Sequence, residues 1–315
     1  MKRKHGIVKK IEESIRKGFR KSEINRLIIG VSGGADSCAL LLASKNSGAE
    51  IIAVHCNFHL RGEESLRDQR HVEKLCKRLC VPLKIVDFDV SACSGEPGVS
   101  VEMACRDLRY DYFRRLLAET GFDRIAVGHN ADDNIETLLL NLFRGSGVKG
   151  LKGMVSDTGV ILRPLLNFSR SEIEEYVNDL GFEYITDSSN LESDYRRNYI
   201  RNELLPLIEL RWKGVRKSIT TTIMNLQGEE RVLAWAEDNL LPEGDFLSLQ
   251  KIRQAPDPFW LIYKFASRYG ATRDIAVEIT DVYEKKAGSQ TIVGKNWKAG
   301  TGRLSFTMKG LKYEK

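Results

Sequence analysis

Residues 27–43 constrain the fold of this chain more than any other stretch. Leu27-Ile28-Ile29-Gly30-Val31 is an apolar, β-branched run that reads as a buried strand, and Cys38-Ala39-Leu40-Leu41-Leu42-Ala43 reads as the first turns of a helix. Between them lies Ser32-Gly33-Gly34-Ala35-Asp36-Ser37. Two glycines at a strand-to-helix turn let the backbone approach a ligand closely. The free N–H groups of the helix start favour an anion, and the hydroxyls of Ser32 and Ser37 add donors. Ser32, Gly33, Gly34, Ala35, Asp36 and Ser37 are therefore the candidate phosphate-binding residues. The stretch contains neither Gly-Lys-Ser/Thr nor G-x-G-x-x-G, so it is not one of the two common phosphate loops. Asp36 is its one charged residue. A carboxylate beside a polyphosphate makes chemical sense when Mg²⁺ lies between them; its alternative role is to complement the helix N-terminus.

The same strand-then-helix pattern repeats downstream. Strands are predicted over 50–56, 83–90, 123–128 and 160–165, and helices over 67–79, 100–119 (Ser100 as N-cap), 132–143 and 171–180. Five strands with interleaved helices predict a Rossmann-like, doubly wound parallel sheet, whose ligands bind at the carboxyl ends of the strands. Ile7, Val8, Ile11, Ile15 and Phe19 recur at helical spacing, which predicts an amphipathic helix lying on that sheet. The character changes near Pro206. Helices are predicted over 217–240 and 258–269, and 289–308 is Gly-punctuated and strand-like. The expectation is a catalytic α/β domain over 1–206 and a smaller, mainly helical domain over 207–315.

Charge is unevenly spread. Of the net +6, residues 1–26 carry +7, residues 206–315 carry +5, and the centre is acidic at about −6. Basic ends around an acidic centre fit a polyanion gripped at both ends, or a solvated surface. The six cysteines (Cys38, Cys56, Cys76, Cys80, Cys93 and Cys105) form no C-x-x-C. They read as reduced thiols of a cytoplasmic protein. No apolar run reaches the roughly 18–20 residues that span a bilayer, and no long apolar segment follows the basic start, so neither a membrane span nor a signal peptide is expected.

Further polar clusters fall at the predicted strand ends. His55-Cys56-Asn57-Phe58-His59-Leu60-Arg61 could reach a base or a phosphate, or merely hydrogen-bond its own loop. His129 is followed by Asp132, Asp133 and Glu136, whose i, i+3 and i, i+4 spacings put carboxylates on one helix face. Such acids could hold Mg²⁺ on a nucleotide or a cationic substrate. Glu102, Arg106 and Arg109 share one helix, where the arginines could face phosphates or Arg106 could pair with Glu102. Arg144-Gly145-Ser146-Gly147 is a flexible basic loop. Asp187-Ser188-Ser189-Asn190, with Arg196, Arg197, Asn198, Arg201 and Asn202, could contact a nucleic-acid backbone or join two domains.

Residues 32–37 resemble the S-G-G-x-D-S loop of the N-type ATP pyrophosphatases, which cut ATP between the α and β phosphates. The ordered set at 32–37, 55–61, 102–110, 129–137, 144–147 and 187–201 resembles, more specifically, the tRNA(Ile)-lysidine synthetases. That likeness covers about residues 26–206. Two positions depart from the pattern: Phe58 stands where a second histidine is usual, and Asn130 replaces one of a common His-His pair. The resemblance implies an ATP- and Mg²⁺-dependent ligase. It would join free L-lysine to C2 of the wobble cytidine of tRNA(Ile) with a CAU anticodon, through an adenylated intermediate, releasing AMP and pyrophosphate. It implies that the 32–37 loop binds pyrophosphate, that Asp36 holds Mg²⁺, that Arg109 steadies the α-phosphate or the activated base, and that Asp133 and Glu136 receive the lysine. The basic C-terminal part would hold tRNA. A tRNA thiolase of the same superfamily would need catalytic cysteines, usually as C-x-x-C. The sequence leaves the oligomeric state undetermined, a homodimer among the options.

Overall fold

The computed structural model describes residues 4–89, 101–186, 196–242, 244–286, 295–307 and 309–315. Val90, Cys93, the expected N-cap Ser100 and Asp187-Ser188-Ser189-Asn190 lie outside the described residues, as do parts of the 289–308 segment. The chain forms two compact units, 1–227 and 228–315.

The first unit opens with α1 (Lys4–Lys21), β1 (Arg26–Gly30), α2 (Ala35–Asn46), β2 (Glu50–Asn57), α3 (Glu63–Leu79) and β3 (Leu83–Asp87). It continues with α4 (Val101–Thr120), β4 (Arg124–Ala126), α5 (Ala131–Phe143), the short α6 (Val148–Leu151), β5 (Ile161–Leu162) and α7 (Arg170–Asp179). After α8 (Arg196–Tyr199), a π-helical stretch (Ile200–Leu204) leads into α9 (Leu205–Arg211) and α10 (Val215–Leu240), whose residues from 228 onward belong to the second unit. The five strands form one sheet in the order β3-β2-β1-β4-β5, and every pairing is parallel. This is the doubly wound architecture expected from the alternating pattern.

Period-2 alternation in β1 explains how the sheet is buried on both faces. Leu27, Ile29 and Val31 join one apolar cluster with Ile11, Leu40 and Tyr176. Ile28 points the other way, against Val54, Phe113 and Ile125. The stripe Ile7, Ile11, Ile15 and Phe19 of α1 is buried in the first cluster, so that helix is held by tertiary packing. The first unit runs past the expected boundary at 206/207. Ile223 on α10 is buried with Ile135, Leu138, Ile200 and Leu205, which ties the start of that helix to α5.

The second unit contains β6 (Phe246–Ser248), α11 (Leu249–Gln254), α12 (Pro258–Ser267), α13 (Arg273–Lys286), β7 (Asn296–Ala299), β8 (Gly302–Thr307) and β9 (Gly310–Glu314). Its helices share a core with a four-stranded antiparallel sheet of order β6-β9-β8-β7, around Phe265, Ile279, Leu304 and Phe306. No described helix is long and apolar enough to cross a membrane.

In the first sheet the connections reverse at β1. The chain leaves β1 for β2 on one side, and β4 lies on the other, so a crevice opens between the carboxyl ends of β1 and β4. The two ends approach closely. A Cβ at Gly128, just after β4, would sit 2.9 Å from the Asp36 carbonyl carbon and 3.1 Å from the Ser37 nitrogen. Both are backbone atoms that cannot turn aside. Gly128→Ala is expected to force α2 and the β4 tip apart, at a cost of about 1–3 kcal/mol for overpacking, and to lower nucleotide affinity. Chemical denaturation together with titration by a fluorescent ATP analogue checks it; wild-type stability and affinity in the variant would refute the close approach.

Candidate active site

The loop after β1 is held from inside. Gly33 has φ = +97°, the left-handed region that favours glycine. The Ser37 hydroxyl accepts the backbone N–H groups of Ser32 at 3.2 Å and Gly33 at 3.1 Å, and donates to the Gly34 carbonyl at 3.0 Å. Ser37 is buried, so its hydroxyl shapes the loop around the start of α2. Ser32 Oγ lies 3.2 Å from Ser37 Oγ and accepts weakly from the Gly34 N–H at 3.4 Å.

This loop forms one wall of a cavity of about 250 Å³. Ser32, Gly34, Asp36 and Ser37 line it together with Arg106 and Arg109 of α4, Cys56 of β2 and His129 beyond β4. Asp36 and Arg109, far apart in sequence, thus face one space. Arg109 lies over the Phe58 ring at 5.5 Å, and Phe58 stacks on Phe88 at 5.1 Å. Phe58, one of the two departures from the family pattern, is the platform under that guanidinium. Arg106 rests over Tyr110 at 5.1 Å.

Asp36 is a charge under tension. Burial pushes its carboxyl up to about 6, and the neighbouring Asp133 pushes the same way. Asn130 opposes this by donating Nδ2 to Asp36 Oδ1 at 2.9 Å, and an Arg170 guanidinium nitrogen lies 3.8 Å from Oδ2. His129 is held uncharged, its imidazole brought down to about 3 by burial and by the Arg163, Arg197, Arg106 and Arg109 guanidiniums. Arg163 Nε donates to His129 Nδ1 at 3.3 Å, which leaves Nε2 to carry the hydrogen. The Cys56 thiol is pushed up to about 11 by burial, so it is not a thiolate at neutral pH.

The acids of α5 sit beside this cavity in a lattice of guanidiniums. Glu136 is fully buried; it receives Arg197 Nε at 2.7 Å and Arg201 at 2.6 and 2.9 Å. Asp133 is the third residue of α5 and closes a capping box with Asn130. Its Oδ1 lies 3.2 Å from Arg201, 3.6 Å from Arg197 and 4.0 Å from Arg170. Asp132 accepts from the Arg170 backbone N–H at 2.8 Å and from Arg216. Helical spacing places the acids correctly, but it does not reveal their partners. Arg163 and Arg170 carried no signal at all, while Arg197 and Arg201 stood in a basic run with two equal readings.

His55 and Asn57 serve the fold. His55 Nδ1 donates to the Val31 carbonyl at 2.8 Å. Asn57 receives the His59 N–H at 2.9 Å and donates to Gln69 at 2.9 Å. These bonds fix the loop after β2, the local reading of that cluster. The five described cysteines are free thiols.

The donor set around Asp36 suits a cation that arrives on a polyphosphate. Among the described residues no three His, Cys, Asp or Glu side chains gather to hold a metal. Mg²⁺ is commonly held by one or two carboxylates, with phosphates and water completing its octahedron. Asp36, facing the cavity with its charge incompletely balanced, can supply such a carboxylate.

The raised carboxyl of Asp36 fixes a pH dependence. The folded protein keeps the proton up to about pH 6, while the unfolded chain loses it near 3.8. Stability contributed by that proton is full below the unfolded value and falls as pH rises toward 6. Asp36→Asn is expected to be more stable than wild type at pH 8 and indistinguishable near pH 3.5, as urea unfolding at the two pH values would measure. Equal stability at both would refute the buried charge. Glu136→Ala strands the two guanidiniums it pairs with, costing about 3 kcal/mol, the low end for a broken buried ion pair because Arg197 is a third exposed. A melting temperature within a degree or so of wild type would exclude that pairing.

A family model described as a PP-loop domain matches residues 7–208. Among curated proteins, the tRNA(Ile)-lysidine synthase of Porphyromonas gingivalis (strain ATCC BAA-308 / W83) is 40% identical over 278 residues, which are 87% of this chain and 61% of that protein. The protein of the same name from Bacteroides thetaiotaomicron is 38% identical, over 87% of this chain and 65% of its own length. The one from Chlorobaculum tepidum is 40% identical, over 65% of this chain and 63% of its own. The chain thus spans about three-fifths of the length of these relatives. In fold it is similar to the U34-tRNA thiolase NcsA from Methanococcus maripaludis, with TM-score 0.58 and 21% identity over 71% of this chain and 79% of that one. The loop after β1, the parallel sheet that carries it and the match over 7–208 lead to one conclusion: the chain belongs to the PP-loop family.

Proposed function

We propose that this protein ligates free L-lysine to C2 of the wobble cytidine of tRNA(Ile) bearing a CAU anticodon, at the expense of ATP, with release of AMP and pyrophosphate. The observation that carries the reading is the single cavity in which the loop of residues 32–37, Asp36 and Arg109 meet, with the α5 acids joined to it through Asn130. Relatives of 38–40% identity that bear the name tRNA(Ile)-lysidine synthase support the substrate assignment.

In the first step the cytidine O2 attacks the α-phosphorus of ATP. An O–P bond forms, the α–β bridge breaks, and pyrophosphate leaves. The N–H groups of the 32–37 loop at the start of α2 hold the departing phosphates. Asp36 would hold Mg²⁺ against them, where the ion offsets developing negative charge. Arg109, braced on Phe58, steadies the α-phosphate or the activated base. His129, uncharged with hydrogen on Nε2, offers a neutral donor at the same place.

In the second step the neutral amine of lysine bonds to C2, the C2–O bond breaks, AMP departs with the oxygen, and the proton shed by the amine passes to an acid at the site or to the departing phosphate. Asp133 and Glu136 are the acids assigned to the lysine. Asp133, whose carboxylate lies among Arg170, Arg197 and Arg201, would be the direct partner of the ammonium. Glu136 is buried and acts beside it by holding Arg197 and Arg201. A carboxylate that pairs lysine's cation would favour lysine over amino acids whose side chains lack that charge. The C-terminal unit and the basic start would grip the tRNA backbone. Cys56 lines the cavity as a protonated thiol, which weighs against a thiolase.

The test is incorporation of labelled lysine into bulk bacterial tRNA with ATP, followed by digestion and mass analysis of the nucleosides. A lysine adduct of cytidine is expected, formed with lysine alone among the common amino acids and lost in Asp133→Ala. A sulfur-bearing nucleoside, or no adduct, would overturn the assignment.

A further inference from the structure

Between the end of α5 and the α8–π-helical segment lies a second cavity, of about 370 Å³, that the reaction above does not use. Leu140, Phe143 and Arg144 form one wall; Arg196, Tyr199 and Leu204 form the other. Its floor is apolar, and its two aromatic rings are open to solvent: Phe143 is 64% and Tyr199 48% exposed. A guanidinium stands on each side, and among the described residues no acidic side chain lines the space. Exposed rings beside arginines are not needed to close the core here, because Ile135, Leu138, Ile200 and Leu205 already do so underneath.

The cavity is built on the same two elements as the acid cluster. The stripe of α5 that carries Asp133 and Glu136 continues at helical spacing through Leu140 to Phe143, about 15 Å beyond Asp133 at 1.5 Å per residue. On the facing segment, Arg197 and Arg201 turn to Glu136, while the adjoining face presents Arg196 and Tyr199 to the cavity. A tRNA loop that brings its reacting base to the cavity beside these acids therefore has its neighbouring nucleotides directed along α5 toward these rings.

Resting on the tRNA reading above, we infer that this cavity is a subsite for one unstacked nucleobase of the anticodon loop other than the reacting cytidine. Phe143 and Tyr199 stack on the base, and Arg144 and Arg196 meet its phosphates. Bases splayed from single-stranded loops are recognised by aromatic stacking of this kind, with arginines meeting the charged backbone. The charge complementarity of the two guanidiniums favours a nucleotide over an apolar protein segment. Holding that base fixes the register of the loop, so that the wobble base enters the cavity at Asp36 and Arg109.

The test uses the whole protein and anticodon stem-loop RNAs carrying 2-aminopurine at each loop position in turn, without ATP or lysine. Wild type is expected to change the fluorescence at one position beside the wobble site. Phe143→Ala and Tyr199→Ala should abolish that change and weaken binding roughly 5- to 150-fold, the range for loss of one base–aromatic stack. Phe143→Trp, which keeps a ring, should retain it. Both rings are exposed, so the alanine variants should keep the wild-type circular dichroism. The inference is overturned if folded alanine variants bind and report like wild type, if no loop position responds, or if the variants lose only self-association of the protein. Labelled-lysine transfer on the same preparations separates the two claims. Transfer with unchanged KM for tRNA in the alanine variants would reject the subsite and leave the ligase reading intact. A position-specific response without lysine transfer would keep the subsite and reject the ligation.

Discussion

The hydrogen bond from Asn130 to Asp36 joins the two halves of this site. It crosses the crevice between β1 and β4, where the sheet's connections reverse. The same asparagine accepts the Asp133 N–H at 2.9 Å, and its own N–H donates to Asp133 Oδ2 at 3.1 Å. Its side chain therefore holds the loop carboxylate and caps α5, while its backbone N–H orients the Asp133 carboxylate. Asn130 is fully buried, so this bonding is not shared with water. Gly128 makes the span short enough, because any Cβ there would strike the backbone of Asp36. A histidine at position 130 would set its one donor and one acceptor nitrogen at different distances from the backbone than the two amide atoms of asparagine. The asparagine here gives a more compact link between loop and helix.

The electrostatics of the site follow from where each acid finds its counter-charge. Asp132, Asp133 and Glu136 are matched by Arg216, Arg170, Arg197 and Arg201 at close range. Asp36 faces the Asn130 amide and the Arg170 guanidinium 3.8 Å away, and burial still raises its carboxyl. The free protein thus carries an uncompensated carboxylate at neutral pH at the edge of a cavity lined by Arg106 and Arg109. Such a pair of opposite fields suits a ligand that brings both signs, phosphates for the arginines and a cation for the carboxylate. The cost of burying this carboxylate and its fitness for a charged ligand are the same physical fact.

Much of the fold could be read from local pattern. The β1 run, the glycine turn and the repeated alternation led to a parallel five-stranded sheet, because strand and helix periods differ and both faces of a parallel sheet are apolar. The lengths of the edge elements were less legible. The segment expected at 160–165 is ordered as strand only at Ile161 and Leu162, since pairing depends on how much of β4 lies alongside. The first compact unit runs to 227, whereas the PP-loop match ends at 208, near the expected boundary. Pro206 looks like a break, yet proline is at home in the first turn of α9, and burial of Ile223 against α5 carries the unit onward.

In the site, the kind of chemistry was legible and its local balance was not. Glycines, hydroxyls and a lone acid between a strand and a helix identify a phosphate cradle from residue type alone. The spacing of Asp133 and Glu136 puts them on one face, but periodicity does not say whether that face meets water, ligand or another helix. The answer lies with Arg197 and Arg201, whose distance along the chain from α5 hides the pairing from any local window. The same holds for Phe58. As a letter in a motif it replaces a polar group with an apolar one; in space it supports a cation through its π face, between Phe88 and Arg109. A position that departs from a family pattern therefore need not be a lost contact. Here the residue at that position carries the Arg109 guanidinium over its ring.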